Sequence, residues 1–255
     1  MLTGRPSGSP ALIAKSQPLR IMAFGDSITA GVGAFGLRVQ DGGYRGPLGH
    51  LLQQSGYHVT FVGTRNDYSD GLSYPAHEGW PGYVVRSYPS DPGPGQLWGP
   101  LARKAMQDDD PDVVLLMAGT NDLLRHEHHA TGYTMTNILE SMDLLIGEFV
   151  RAKPNVFVIV APVVESPKVD LCTVRTFAGA DGCTPFDNSL RAIVDAYARH
   201  GYRVSLAPAM MTAVPRDAAH FPDGIHPSGT GGYAAVATVW LHAIEDITQA
   251  GTTQQ

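Results

Sequence analysis

The sequence predicts an α/β protein, a three-layer α/β/α sandwich built on a flavodoxin-like, five-stranded parallel sheet. Three observations lead there. Short apolar runs recur along the chain, LRIMAF at 19–24, VTFV at 59–62, VVLLM at 113–117 and VFVIV at 156–160. Each run is continuous rather than alternating, which marks a strand buried on both faces. Helical patterns stand between the runs, and that alternation places helices on both sides of a parallel sheet.

The elements follow in order. Residues 1–18 are rich in Gly, Pro and Ser and are expected to be a flexible segment. Residues 19–248 are expected to form one domain and 249–255 a flexible tail, since 255 residues suit a single core. The first strand stops at Gly25. Leu48, Leu51 and Leu52 give a helix over 44–55 that Gly56 ends. After the second strand, residues 64–95 are dense in Gly, Pro, Asp, Ser and Tyr. Long connections of this kind usually carry function. A helix is expected over 97–107, then the strand 113–117. Residues 133–152 predict a long helix through Ile138, Leu139, Met142, Leu145, Ile146 and Phe149, with Pro154 just beyond it. The strand 156–160 follows, then a loop holding both cysteines, a helix over 186–200 and a short strand near 203–206. A helix over 229–247, carrying Tyr233, Val236, Val239, Trp240 and Ile244, closes the chain.

Composition narrows the function. The net charge is −6 and no basic stripe appears, which argues against nucleic acid. Asp108-Asp109-Asp110 reads as a solvated loop before a strand. No segment reaches the ~18 continuous apolar residues of a membrane span. The first twenty residues do not read as a signal peptide. Cys172 and Cys183 are well spaced for a local disulfide, which would stabilise by roughly 3 kcal/mol in the chain-entropy model. That bond would imply a secreted protein, and two free thiols in a reducing cytosol are the alternative. A monomer is expected.

In parallel sheets ligands bind beyond the carboxyl ends of the strands, and the chemistry-bearing residues fall there. Gly25-Asp26-Ser27-Ile28-Thr29 follows the first strand, Ala118-Gly119-Thr120-Asn121-Asp122 the third, and Pro222-Asp223-Gly224-Ile225-His226-Pro227 the fifth. Ser27 is a nucleophile if a base takes its proton, or else a helix cap. Asp223 and His226, three apart, suit a carboxylate that orients an imidazole base, or else a surface histidine beside a turn aspartate. Asn121 offers a side-chain donor for an oxyanion, and the Ser27 amide a second; Asn-Asp is also ordinary turn chemistry. A glycine amide would be a third donor, with Gly79 and Gly82 in HEGWPGY as candidates. Asp26 and Asp122 join the substrate-binding set as supports that hold their loops. Trp80 joins it as a sugar-stacking surface with Tyr83, Tyr88 and Trp98, which serve equally well as loop packing. His126-Glu127-His128-His129 lacks the i, i+4 spacing of helical metal ligands and reads as a solvated rim, so no metal site is assigned.

GDSIT, GTND and DGIHPSGTGG, in this order across residues 21–245, resemble the first, third and fifth blocks of the SGNH (GDSL-like) hydrolase family. The resemblance implies a serine esterase that works through an acyl-enzyme without metal or organic cofactor. It implies Ser27 as nucleophile, His226 as base with Asp223 behind it, and Asn121 with a glycine in the oxyanion hole. HEGWPGY and GGYR at 42–45 are similar to the carbohydrate esterase family three group, which includes acetylxylan esterases, and that pattern favours Gly82. The α/β-hydrolase elbow G-x-S-x-G is absent around Ser27. The expected substrate is a small acyl ester, acetyl above all, of a small molecule or of a polysaccharide such as xylan. A lysophospholipid, thioester or secondary-metabolite ester is the alternative, and a non-catalytic binding domain the third.

Overall fold

A computed structural model describes residues 12–69, 71–72, 75–169, 185–229 and 231–249. Five strands, β1 (Leu19–Gly25), β2 (Val59–Val62), β3 (Val113–Met117), β4 (Phe157–Ala161) and β5 (Val204–Leu206), form a parallel sheet in the order β2-β1-β3-β4-β5. This is the flavodoxin-like arrangement. Every residue of β3 and β4 is buried, which is why their sequences are apolar without a gap.

Among the described residues seven α-helices accompany the strands: α1 (Ser27–Ala30), α2 (Arg45–Gln54), α3 (Pro100–Asp109), α4 (Thr120–Glu127), α5 (Met135–Ala152), α6 (Pro185–Arg199) and α7 (Gly232–Asp246). Alternate strand residues feed two cores. Met22, Phe24, Val114, Leu116, Val158 and Val160 pack with α3, α5 and α6. Ile21, Ala23, Val113, Leu115, Phe157 and Ile159 pack with α2 and α7. The five-residue β3 thus fills both helix layers from one apolar run. Phe24 meets Phe149 of α5 edge to face at 5.0 Å between ring centroids.

Four expectations need correction. The helix expected at 97–107 starts later, at Pro100, because Gly99 is left-handed (φ 89°) and Leu97 and Trp98 instead bond to Val84 and Val85. A proline suits that first helical position, where its missing N–H costs nothing. The acidic run is a solvated loop only in part: Asp108 and Asp110 are exposed, but α3 extends to Asp109, which is buried. Asn121 to Glu127 lie in a helix, α4, where no element was expected, and only His128 and His129 beyond it are exposed as a solvated rim requires. Finally, part of the two segments expected to be flexible is ordered, since Ile13–Ala14 pairs in parallel with Thr248–Gln249. Such pairing joins segments more than 230 residues apart, a long-range condition that composition does not reveal.

The order reversal at β1 is what builds the site. β2 lies on one side of β1 and β3 on the other, so the chain segments leaving β1 and β3 diverge and leave a crevice. Gly25 and Met117 are register partners at that edge. A Cβ on Gly25 would stand 2.0 Å from the Met117 carbonyl oxygen, so this close approach requires glycine. A two-residue strand, Glu78–Gly79, adds to the same end of β1 and brings the 64–95 connection to the rim.

Candidate active site

Asp26 caps α1 by accepting the Ile28 N–H at 3.0 Å, and Gly31 ends the helix in a left-handed conformation. This fixes Ser27 directly beyond β1. Its Oγ lies 3.0 Å from His226 Nε2. Although 199 residues apart in sequence, the two meet because the 217–228 loop returns over the sheet edge, tied by Ser228 N–H to the His220 carbonyl.

Asp223 organises the histidine completely. Its Oδ1 accepts the Ile225 and His226 amides at 2.9 and 2.8 Å, and Oδ2 accepts His226 Nδ1 at 2.8 Å and the Phe35 amide at 2.9 Å. Because Nδ1 donates, Nε2 is free to accept from Ser27. Burial pushes the Asp223 carboxyl up, but the four donors outweigh it and hold the group well below the usual carboxylate range. A depressed folded pKa stabilises fully above the unfolded value, 3.8, and that contribution is lost as pH falls through the folded value. In urea unfolding, the stability gap between wild type and Asp223→Asn is therefore expected to be widest above about pH 4 and to narrow below it. A gap constant down to strong acid would contradict this account.

The opposite side of Ser27 comes from α4 and the long connection. Asn121 donates one Nδ2 hydrogen to the Tyr83 carbonyl at 2.9 Å, which sets the amide orientation and leaves its second hydrogen available. Asp122 accepts the Val85 amide through both oxygens, at 3.1 and 2.9 Å. Burial raises its carboxyl to about 7, against the lowering effect of that amide. Two adjacent residues of α4 thereby clamp residues 83–85. Just before them, Gly82 is left-handed at φ 79°. Among the described residues, neither the Gly82 nor the Ser27 amide donates to a protein acceptor.

Gly79 is differently placed. Its amide donates to His77 Nδ1 at 3.0 Å, and a Cβ there would stand 2.3 Å from the Ala30 nitrogen. It packs the strand against α1 and has no spare donor. Asp26 and Asp122 are buried with their carboxylates turned to backbone amides, so they support loops and do not reach a substrate. Trp80 is engaged too: its Nε1–H donates to Glu78, its ring lies 5.2 Å from Tyr83, and the Arg65 guanidinium sits 4.5 Å above it. Tyr88 packs on Tyr133, and Trp98 under Arg86. These aromatics hold the loop together. Cys172 and Cys183 lie outside the described residues.

Three polar residues escaped the sequence reading of individual roles. Arg45 is buried and donates to the Ala30 and Pro75 carbonyls and to Ser69, pinning the long connection behind α1. His77 is buried, and burial followed by the Arg45 charge lowers its pKa to about 3. It stays neutral, accepting from Gly79 and donating to the Asp67 carbonyl at 2.7 Å. Glu78 accepts from Thr64 and Trp80. The GGYR and HEGWPGY segments were visible signals, but the partners they reach were not. A separate cleft of about 520 Å³, lined by His50, Gln53, Tyr57 and His58 among others, runs along α2 and the β2 edge and includes neither Ser27 nor His226.

The model of the GDSL-like lipase/acylhydrolase family matches residues 23–234. A multidomain esterase of Ruminococcus flavefaciens is 27% identical over 93% of this chain, and the match spans 30% of that protein's length. Among solved structures, a family 3 carbohydrate esterase of Clostridium thermocellum superposes with a TM-score of 0.68 at 25% identity, covering 91% of this chain and 97% of that one. A carbohydrate esterase family 3 protein of Talaromyces cellulolyticus gives 0.63 at 22% identity, covering 90% and 99%, a likeness of fold.

Proposed function

The chain belongs to the GDSL-like lipase/acylhydrolase family, a family of ester hydrolases, and from that premise we propose that it is a serine esterase removing small acyl groups, acetyl above all, from a polysaccharide such as xylan. The observation that carries the reading is the continuous hydrogen-bonded series from Asp223 through His226 to Ser27, at 2.8 and 3.0 Å.

The chemistry follows from the geometry. Ser27 Oγ attacks the ester carbonyl carbon while His226 Nε2 takes its proton. Asp223 stabilises the imidazolium so formed, and its four hydrogen bonds keep it ionised for that task. The carbonyl oxygen becomes an oxyanion, held by the amides of Ser27 and Gly82 and the free Nδ2–H of Asn121. Collapse breaks the bond to the alcohol, which leaves with the proton from His226. Water, deprotonated by His226, then attacks the acyl-serine and releases the acid and free Ser27 Oγ–H. Each proton taken is returned, so the site needs no outside reagent beyond water.

The carbohydrate part of the assignment is supported by the likeness to the Clostridium thermocellum family 3 carbohydrate esterase. The test is hydrolysis of p-nitrophenyl esters from acetate to octanoate. Acetate is expected to be fastest, with rates falling as the chain lengthens. Octanoate as the best substrate would leave the esterase and remove the acetyl-polysaccharide assignment. No hydrolysis of any ester would overturn the reading.

A further inference from the structure

Phe35 and Leu37 are the most exposed large apolar side chains among the described residues, at 75% and 67%. Both belong to one short surface loop beginning at Ala34. An isolated exposed apolar side chain is ordinary, but this pair has two further properties. Phe35 holds φ 58° and ψ 27°, a conformation that favours glycine, so a bulky ring occupies a place where the backbone gains from having none. The loop is also bonded to the proposed catalytic residues: Phe35 N–H donates to Asp223 Oδ2, the oxygen that also holds His226 Nδ1.

Direction follows from the mechanism. The oxyanion donors come from the ends of β1 and β3 and from the Gly82 segment. His226 passes its proton to the departing oxygen, so the alcohol half of the ester lies on the His226 side of Ser27. The Phe35 loop leaves from Val32, whose amide donates to the Ser27 carbonyl at 3.0 Å, and is tied to the His226 loop through Asp223, so it stands beside both. We propose that Phe35 and Leu37 form the wall that receives the alcohol half of the substrate, a sugar ring that lays its C–H face against the Phe35 ring. This proposal rests on the esterase reading above. A pyranose offers one flat apolar face with hydroxyls at its edge, which suits a single aromatic ring beside an aliphatic side chain. A lipid surface asks for a broader apolar patch, and a net charge of −6 is repelled by anionic membranes.

The test compares kcat/KM on acetylated xylan with kcat/KM on ethyl acetate, whose alcohol half is too small to reach the wall. Phe35→Gly keeps the amide to Asp223 and adopts the backbone freely, so it is expected to melt no lower than wild type. It is expected to lower the xylan-to-ethyl-acetate ratio roughly five-fold, mainly through KM, the size of one lost aromatic contact. Leu37→Ser should shift the ratio in the same direction, and Phe35→Tyr should preserve it. An unchanged ratio in Phe35→Gly, with both substrates cleaved by wild type, overturns the wall and leaves the esterase standing. Selective loss of octanoate over acetate hydrolysis would assign the loop to acyl chains or lipid and overturn the sugar contact. A wild type that cleaves ethyl acetate but not acetylated xylan removes the polysaccharide substrate and the wall together.

Discussion

Ser27→Ala is expected to lower kcat on p-nitrophenyl acetate by roughly 10⁴- to 10⁶-fold while the protein still folds. The reasoning is local. The substitution removes the one group placed to form the acyl-enzyme, 3.0 Å from His226 Nε2. It leaves the Asp26 cap, the Gly25 approach and both cores untouched, so unfolding temperature should stay near that of wild type. His226→Ala should cost a similar factor, because an unassisted serine hydroxyl is a poor nucleophile. The double variant should be no worse than either single one, since residues that act as a unit lose their function once. A burst of nitrophenol in wild type, absent from Ser27→Ala, would report the acyl-enzyme directly. Near-wild-type turnover in Ser27→Ala would remove the serine mechanism. Losses that multiply in the double variant would mean that the pair does not act as a unit.

The sequence made the sheet legible because its signal is physical and local. A strand covered on both faces has no polar positions to spare, so β3 and β4 show as unbroken runs within one residue of their true bounds. The glycines were harder. HEGWPGY offers two candidates at similar places, and only the resemblance favoured Gly82; the structure separates them by partners, since the Gly79 amide is already bonded to His77. The long connection looked structureless because its order is long-range and polar. Arg45 and Asp122 hold it from outside through backbone groups 30 and 37 residues away, His77 ties it to the Asp67 carbonyl within it, and nothing in periodicity reports such contacts. Short motifs also mislead when read alone. Asp217 and His220 repeat the Asp-x-x-His spacing six residues before Asp223, with the same pattern of amides and a ring contact at 2.8 Å. Yet among the described residues no serine hydroxyl is bonded to the ring of that other histidine. What distinguishes His226 is the return of its loop to the end of β1, a property of the fold and not of the motif.

Asn121→Ala is expected to lower kcat by about 10²- to 10³-fold with little change in KM. A donor aimed at developing negative charge acts in the transition state far more than on the neutral ester, so its loss falls on the chemical step. The structure adds a complication that can be resolved. Asn121 also holds the Tyr83 carbonyl, one residue after Gly82, so the substitution loosens the segment bearing a second proposed donor. Asp122 still grips the Val85 amide from the same helix, and the stability loss should stay near 1 kcal/mol, the usual net worth of one hydrogen bond. Asn121→Asp separates the two roles. A carboxylate cannot donate to Tyr83, and it also places negative charge where the oxyanion forms. Its kcat should therefore fall below that of Asn121→Ala, although both variants lose the same structural contact. If the two variants have equal kcat, Asn121 acts by holding the loop and the oxyanion rests on backbone amides alone. If KM rises while kcat holds, Asn121 binds the ground-state ester, and the oxyanion assignment falls.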